Sequence, residues 1–319
     1  MKPVYSLIIV LLMLVVGGVI VMQGDPEEKV GLSGVMELVG DAQRTALKPA
    51  MMATRVSAAE EMELGRRLAG YMSFGGGRNS DSEEIKKTEA YIKRLGSSLL
   101  GSLSRKEIKY EFHLINAEMV NAFAMPGGQI FVFKGLVDFV ESEAEFASII
   151  GHEITHVDAR HCIESFQAEM AAEKVAGTIL GNDRWLAGMA MRYASRIIQG
   201  GYRQYQEFEA DARGLKFSTD AGYDPSAAEK VMQRLGEKYK DEKKTKKASD
   251  PVAELHNAVK TAAGSYFRSH PPTSDRVERL RRQASQYTGN QKFYIGRENL
   301  KQRLTRKQRE ISEEFTLPR

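Results

Sequence analysis

The stretch IIGHEITHVDARH, residues 149–161, carries three histidines, a glutamate and an aspartate on an otherwise apolar run. His152 and His156 stand four residues apart, so on a helix they share one face and can offer two nitrogens to one metal ion. Glu153 projects from the neighbouring edge of that helix, where it can reach a water without binding the metal. This H-E-x-x-H spacing therefore predicts a zinc site with its general base on one rigid element.

The helix that contains this motif is predicted to begin near Ser142, with Glu143 and Glu145 in its first turn, where the helix dipole favours acidic side chains. Its apolar residues form a broad face, so we expect the helix to be buried. Polar groups on a buried helix need partners, which strengthens the prediction of a metal. The apolar positions are Phe146, Ile149, Ile150, Ile154 and Val157.

A third zinc ligand is predicted from RQYQEFEADARG, residues 203–214, a helical segment that follows a glycine pair. Glu207 and Asp211 are four apart and share a face, whereas Glu209 points elsewhere. We therefore predict Glu207 as a ligand and Asp211 as the acceptor that fixes the ring of a ligand histidine. Without the upstream motif, an exposed helix with ion pairs to Arg203 and Arg213 would be the preferred interpretation.

Extended structure is predicted in two places. Residues 108–114 alternate apolar and polar side chains, which is typical of a half-buried strand and turns His113 away from the core. The stretch NAFAMPGGQIFVFKGL, residues 121–136, predicts two short strands around a Pro-Gly-Gly turn, at least one of them at a sheet edge. Such an edge can bind an extended peptide, although the pattern taken alone favours an ordinary hairpin.

Two helices are predicted upstream. In SAAEEMELGRRLAGYM, residues 57–72, the apolar side chains Met62, Leu64, Leu68 and Tyr71 recur at helical spacing. A second helix is predicted to start at a capping box formed by Ser80 and Glu83 and to run to about residue 100.

The N-terminal run Val4–Met22 has no charge and is long enough to cross a hydrocarbon core of about 30 Å as a helix. No small-residue cleavage site follows it, which favours an uncleaved anchor over a signal peptide. Lys2 before the run and acidic residues after it place the amino terminus in the cytoplasm and the main body outside. Secretion after signal cleavage is the alternative.

The overall composition excludes several classes of protein. The net charge is +4, from 46 basic and 42 acidic residues, and the basic clusters at 238–247 and 301–309 lack the aromatic interleaving of nucleic-acid-binding surfaces. No nucleic-acid partner is therefore expected. Cys162 is the only cysteine, which rules out a disulfide within the chain. The Lys-rich stretch 238–250 is predicted to be a loop.

GHEITHVDARH, followed after about fifty residues by EFEAD, resembles the membrane-associated gluzincin metallopeptidases. That family includes the CAAX prenyl proteases and bacterial quality-control proteases such as HtpX and BepA. EEMELGRRLA, NAFAMPGGQIFVFKGL and SHPPTSDRVERL (residues 269–280) look like its other motifs. The resemblance implies an α+β fold, with a mostly helical zincin-like domain and a small mixed β-sheet beside the active-site helix. One N-terminal transmembrane helix would precede that domain.

The resemblance also implies a division of the chain. Residues 1–24 would be the membrane anchor or signal segment, 25–56 a helical extension, 57–290 the metallopeptidase domain and 291–319 a basic tail. Only one membrane span is predicted, so the chain resembles the single-anchor or periplasmic branch of the family. Prenylated peptides are therefore poor candidates as substrates.

By position, the resemblance implies His152, His156 and Glu207 as ligands of one zinc ion per chain and Glu153 as the catalytic base. It implies catalytic roles for His270 and Arg276, which either stabilise the oxyanion or support the environment of Glu207. His161 has no implied role. Five residues are expected to line the cleft and align the substrate backbone. They are Asn121, Ala122, Phe123, Ala124 and Met125.

The expected activity is zinc-dependent cleavage of peptide bonds in misfolded or envelope proteins by an enzyme anchored in a bacterial inner membrane, with its catalytic domain in the periplasm. The alternative is a zinc-stabilised chaperone or assembly factor that holds clients in the same cleft without cleaving them.

Overall fold

The computed structural model describes residues 56–75, 82–175, 183–238, 270, 274–287 and 291–317. The helices are α1 (Ala58–Gly75), α2 (Glu83–Ser98), α3 (Lys134–Phe139), α4 (Glu143–Asp158), α5 (His161–Val175), α6 (Asp183–Gly200), α7 (Gln204–Asp220), α8 (Ser226–Lys238), α9 (Ser274–Ala284) and α10 (Arg297–Gln302). The strands are β1 (Glu111–Ile115), β2 (Ala122–Met125) and β3 (Gln129–Phe133). The described residues are thus mostly helical with one small sheet, which confirms the α+β class.

The sheet has the order β1-β3-β2, with β1 parallel and β2 antiparallel to β3, so it is mixed as predicted. In β1 the side chains of Phe112 and Leu114 are buried, while His113 is half-buried. His113 Nε2 lies 2.7 Å from Gln129 Oε1 and its ring stacks on Phe131. The period-two prediction is therefore confirmed. β2 lies at an edge, where the sequence analysis expected an edge strand.

α4 and α7 form the centre of the molecule and cross with their backbones in contact. A Cβ atom built on Gly151 of α4 would lie 2.7 Å from the carbonyl oxygen of Gly214 on α7. A Cβ atom on Gly214 would lie 2.6 Å from the backbone nitrogen of His152. Since only glycine lacks this atom, these two positions allow the helices to approach closely enough for their side chains to share one site.

The two upstream helices form, but with details that differ from the predictions. α2 begins at Glu83, where Ser82 Oγ accepts a hydrogen bond from the N–H of Ile85 at 3.3 Å. The predicted capping box of Ser80 with Glu83 is therefore wrong, because the serine nearer the helix supplies the cap. In α1 the buried side is centred on Leu68 and includes the acidic Glu61, because that glutamate pairs with a buried arginine of the core. The predicted apolar positions Met62, Leu64 and Tyr71 are only partly buried.

The amino end of α4 is capped as predicted, since Ser142 Oγ accepts from the N–H of Glu145 at 3.2 Å. Two further N–H groups of this end, from Glu143 and Ala144, donate to the carbonyl oxygens of Gly296 and Ile295 at 3.1 and 3.0 Å. These acceptors belong to residues 291–317, which we call the C-terminal segment. The sequence analysis set residues 291–319 apart as a basic tail, whereas the described part of it packs on α4.

The side chain of Glu143 strengthens this contact. It is fully buried and accepts hydrogen bonds from the hydroxyl of Tyr223 and from the backbone N–H of Arg306, the latter at 2.8 Å. Burial raises the pKa of Glu143 to about 7. Tyr294 also pairs by isolated β-bridges with Tyr223 and Phe315, which ties the C-terminal segment to the loop after α7.

The carboxyl end of α4 is held by charged groups. Asp158 is buried and accepts a hydrogen bond from the N–H of Arg105 at 2.8 Å and another from the guanidinium of Arg213. The guanidinium of Arg105 donates to the carbonyl oxygen of Val157 at 2.9 Å, which satisfies an acceptor in the last turn. Arg105 in turn pairs with the buried Glu61 of α1 at 2.5 Å.

The predicted membrane anchor, Val4–Met22, lies outside the described residues. Within the described ranges, no helix combines the length and the apolar character that a membrane span requires. α6 buries Tyr193, Ala194 and Ile197 in the core.

Candidate active site

Four side chains converge at the crossing of α4 and α7. α4 supplies His152 and His156, one turn apart, and α7 supplies Glu207. His152 Nε2 lies 3.1 Å from His156 Nε2 and 3.5 Å from Glu207 Oε2, and His156 Nε2 lies 3.6 Å from Glu207 Oε1. His270 joins them, with its Nδ1 3.1 Å from His152 Nε2 and 3.0 Å from each oxygen of Glu207. The structure thus brings the three predicted ligands together.

The chemistry and spacing of these atoms fit a zinc ion. One ligand atom from each of the four residues lies within 4.8 Å of the others, and all four residues are buried. Bonds of about 2.0–2.1 Å to a tetrahedral zinc place neighbouring ligand atoms roughly 3.3 Å apart. The observed separations of 3.0–3.6 Å bracket that distance. Nitrogen from histidine and oxygen from glutamate are also ligands that zinc prefers.

Glu153 lies beside the cluster and is fully buried. Among the described residues, neither of its carboxylate oxygens accepts a hydrogen bond of ordinary geometry, although His270 Nε2 lies 3.2 Å from Oε1. Burial raises the pKa of Glu153, against the opposing charges of His270 and His152. Burying a carboxylate with so few donors among the described residues is costly, and a further polar partner at this position would offset that cost.

His152 is held by the predicted acceptor. Its Nδ1 lies 3.0 Å from Asp211 Oδ1, and Arg276 holds Asp211 in turn with two hydrogen bonds of 2.7 Å. Although burial lowers the pKa of His152, its interactions with Asp211 and Glu207 outweigh burial and raise it to about 9. An acceptor of this kind orients a ligand ring and increases its basicity.

Arg276 also reaches Glu207, with its Nη1 2.8 Å from Oε2. Burial alone would raise the pKa of Glu207, but the charges of His270 and Arg276 hold it well below the usual value. The sequence analysis left two roles open for Arg276. The geometry favours the one in which it supports Glu207 and Asp211.

His156 is held by residues that the sequence analysis did not assign to the site. The ring of Tyr202 stacks on it, with centroids 3.8 Å apart and an angle of 14° between the planes. His161 Nδ1 lies 3.0 Å from His156 Nδ1. Burial, together with the charge of His152, lowers the pKa of His156 well below its usual value, so this ring is neutral and able to bind a metal. The one feature of the sequence that pointed to a role for His161 was its position directly after the helix that carries the motif.

The five residues predicted to line the cleft, 121–125, are all fully buried. Side chains and main chain alike therefore lie in the interior of the structure. The carbonyl oxygen of Ala124 already accepts a hydrogen bond from the hydroxyl of Tyr202 at 3.3 Å. Tyr202 thus connects a metal ligand to the edge strand.

Comparison with known proteins agrees with this site. The model of peptidase family M48 matches residues 86–284, which include α4, α7 and the motif at His270. A protein of Legionella pneumophila named protease HtpX is 30% identical over 193 residues, which cover 53% of this chain and 68% of that protein.

Two other relatives are longer proteins. A putative beta-barrel assembly-enhancing protease of Vibrio cholerae is 30% identical over 207 residues, 62% of this chain and 39% of that protein. The mitochondrial metalloendopeptidase OMA1 of Arabidopsis thaliana is 33% identical over 132 residues, 40% of this chain and 26% of that protein. This chain therefore spans well under half the length of these two relatives. The family match and the converging zinc-ligand residues lead to one conclusion: this chain belongs to peptidase family M48.

Proposed function

We propose that this protein is a zinc-dependent metalloendopeptidase that hydrolyses peptide bonds of misfolded or envelope proteins. The observation that carries the proposal is that a buried carboxylate, which can act as a general base, lies next to the predicted zinc ligands. Glu153 is fully buried, accepts no ordinary hydrogen bond from the described residues, and adjoins the ligand atoms of His152, His156 and Glu207. A structural zinc site would need the ligands but not the base.

In this proposal His152, His156 and Glu207 hold one zinc ion per chain, and Asp211 and Arg276 keep the ligands in place. When bound, zinc supplies a Lewis acid that polarises the scissile carbonyl and makes water easier to deprotonate. A carboxylate of Glu153 takes a proton from the attacking water and passes it to the nitrogen of the leaving amine. Its raised pKa suits this task, since a general base works best when its pKa approaches the working pH.

The substrate and the location are parts of the same proposal. An extended peptide could pair with the main chain of β2, the edge strand beside α4, once the groups that bury this strand move aside. The names of the relatives, which refer to beta-barrel assembly and to mitochondrial and HtpX proteases, support a role in the quality control of envelope proteins. Residues 1–24 would anchor the enzyme in the inner membrane with the catalytic domain in the periplasm, or be removed as a signal.

A second candidate function is favoured by the position of His270. A catalytic zinc site keeps one position open for water, whereas a structural site is closed by four protein ligands. His270 Nδ1 lies within the ligand cluster, so four protein atoms are available. If His270 stayed there, the protein would hold clients without cleaving them, as a zinc-stabilised chaperone or assembly factor. If it moved away, the same site would become catalytic.

The test uses the full-length chain purified in detergent, with casein as substrate and with zinc content measured for every variant. The wild type is expected to cleave casein, to lose this activity with a zinc chelator and to regain it with added zinc. Glu153→Gln should bind zinc as the wild type does but have no activity. Glu207→Ala should lose bound zinc, and normal zinc in that variant would refute its assignment as a ligand.

His270→Ala separates the two candidates. Cleavage that appears only in this variant would identify a peptidase that His270 keeps closed. One zinc per chain with no cleavage in either the wild type or His270→Ala would support the binding function, as would full function of Glu153→Gln in the cell.

A further inference from the structure

His161 is a buried histidine that the proposed mechanism does not use. It is fully buried and is the first residue of α5, directly after the turn that ends α4. Within that turn Arg160 has a φ of 67°, in the left-handed region that non-glycine residues seldom adopt. This turn brings His161 back against α4, five residues after His156, although positions five apart on a continuous helix do not meet.

The ring of His161 bridges a ligand histidine and a carboxylate. Its Nδ1 lies 3.0 Å from His156 Nδ1, and its Nε2 lies 3.3 Å from Glu209 Oε2. Glu209 is only partly buried and is itself held by Arg213, whose Nη1 donates at 3.2 Å. The three groups therefore form a chain from the interior of the site to its surface.

The hydrogens in this chain can be assigned from the metal site. His156 turns its Nε2 toward His152 and Glu207, so Nε2 is the atom available to the metal. A neutral histidine that binds through Nε2 carries its hydrogen on Nδ1. That N–H then donates to Nδ1 of His161, and the Nε2–H of His161 donates to Glu209. Each donor in this chain then meets one acceptor.

The arrangement parallels the support of His152 but is one ring longer. His152 Nδ1 faces the carboxylate of Asp211 directly. Ligand histidines almost always donate their second N–H to an acceptor, and loss of that acceptor weakens metal binding. At His156 the acceptor is an imidazole whose tautomer is fixed by Glu209.

We propose that His161 is a positioning residue for the metal ligand His156, accepting its Nδ1–H while Glu209 holds His161 in the tautomer that can accept. This inference rests on the proposed zinc site. It assigns a role to two residues, His161 and Glu209, that otherwise have none in the reaction.

The experiment measures the zinc affinity of the full-length chain by competition with a fluorescent chelator. His161→Leu, which removes the acceptor, is expected to weaken zinc binding by about 10- to 100-fold. His161→Asn places an amide oxygen near the position of Nδ1 and should restore affinity close to that of the wild type. His113→Leu is the matched control, because it removes a half-buried histidine remote from the cluster, and it should leave the affinity unchanged.

Rescue by asparagine is an effect that a purely structural role for the ring would not produce, since leucine fills the space better. Folding of each variant is checked by its melting temperature in excess chelator. If His161→Leu does not fold, Glu209→Ala decides the matter, because Glu209 is partly exposed and tolerates truncation. It is expected to weaken zinc binding several-fold, and an unchanged affinity would overturn the inference.

The outcomes also separate this inference from the zinc site on which it rests. Equal zinc affinity in the wild type and a folded His161→Leu would overturn the role of His161 alone, provided that Glu207→Ala still loses zinc. Zinc binding that survives Glu207→Ala would overturn the site itself and the role of His161 with it.

Discussion

At the amino end of α4 the anchoring atoms come from the C-terminal segment, through backbone carbonyls and the buried side chain of Glu143. At the carboxyl end they come from the arginines Arg105 and Arg213, which converge on Asp158 and the last turn. Both arginines lie within residues 86–284, the part that matches the M48 family, whereas the C-terminal segment lies beyond it. The carboxyl end of α4 is thus held by residues within the M48 match, and its amino end by a segment outside that match.

The two ends also differ in electrostatics. Asp158 faces the guanidinium of Arg213 and the N–H of Arg105. Glu143 is surrounded by Tyr223 and a backbone N–H, and burial raises its pKa to about 7. The amino end should therefore weaken as Glu143 becomes charged.

Asp158→Ala should produce the largest loss of stability, because it leaves Arg213 and the N–H of Arg105 without their buried acceptor. We expect the free energy of unfolding to fall by about 3 kcal/mol, measured by urea denaturation. Glu63→Ala, which removes an exposed ion pair with Arg66, is the control and should leave it nearly unchanged. Equal effects of the two variants would mean that Asp158 does not anchor the helix.

Gly296→Ala tests the amino end and should have an intermediate effect. Gly296 has a φ of 76°, and an added Cβ atom would lie 2.7 Å from the Cβ of Glu143. Strain and the displaced segment should lower the free energy of unfolding by about 1–3 kcal/mol. Gly70→Ala, on α1 with no atom within 4 Å of the added Cβ, should instead stabilise by roughly 0.5–1 kcal/mol. If Gly296→Ala left the free energy of unfolding unchanged, the C-terminal segment would not contribute to the stability of α4.

Glu143→Gln should have the smallest effect, and one that depends on pH. Because burial raises the pKa of Glu143 from 4.5 to about 7, the native state binds this proton more tightly than the unfolded chain does. The wild type should therefore lose stability as the pH rises through that interval. Glutamine keeps an acceptor for Tyr223 and cannot ionise. Between pH 5 and pH 8 the free energy of unfolding of the variant should therefore rise relative to that of the wild type by on the order of 1 kcal/mol.

Thermal melts of both proteins across that pH range provide the measurement. Parallel curves would show that Glu143 does not titrate there, and the contrast between the two ends of α4 would then be one of partners and not of charge.

The parts of the site that depend on local spacing were predicted from the sequence. His152, Glu153 and His156 lie on one helix, and Glu207 and Asp211 lie on another, so the period of the helix already determines which side chains share a face. The convergence of the two sets followed from the chemistry of zinc, which needs a third ligand.

The parts that depend on tertiary contacts were not predicted. His161 meets His156 only because Arg160 adopts a left-handed conformation, and it meets Glu209 only because α7 passes beside it. The C-terminal segment was interpreted as a basic tail because its anchoring groups are mainly backbone carbonyls. Every residue has a carbonyl group, so a pattern of side chains cannot reveal such contacts. The buried Glu61 was likewise invisible, since its partner Arg105 lies 44 residues away.

The contact between Gly151 and Gly214 limits how this protein can be engineered. Replacing glycines inside helices by alanine is a standard route to more heat-resistant enzymes. At this crossing the added methyl groups would push the two helices apart, and the proposed metal ligands would separate with them. A library built for thermostability should keep both positions fixed, because a variant improved there could melt higher and have no active site.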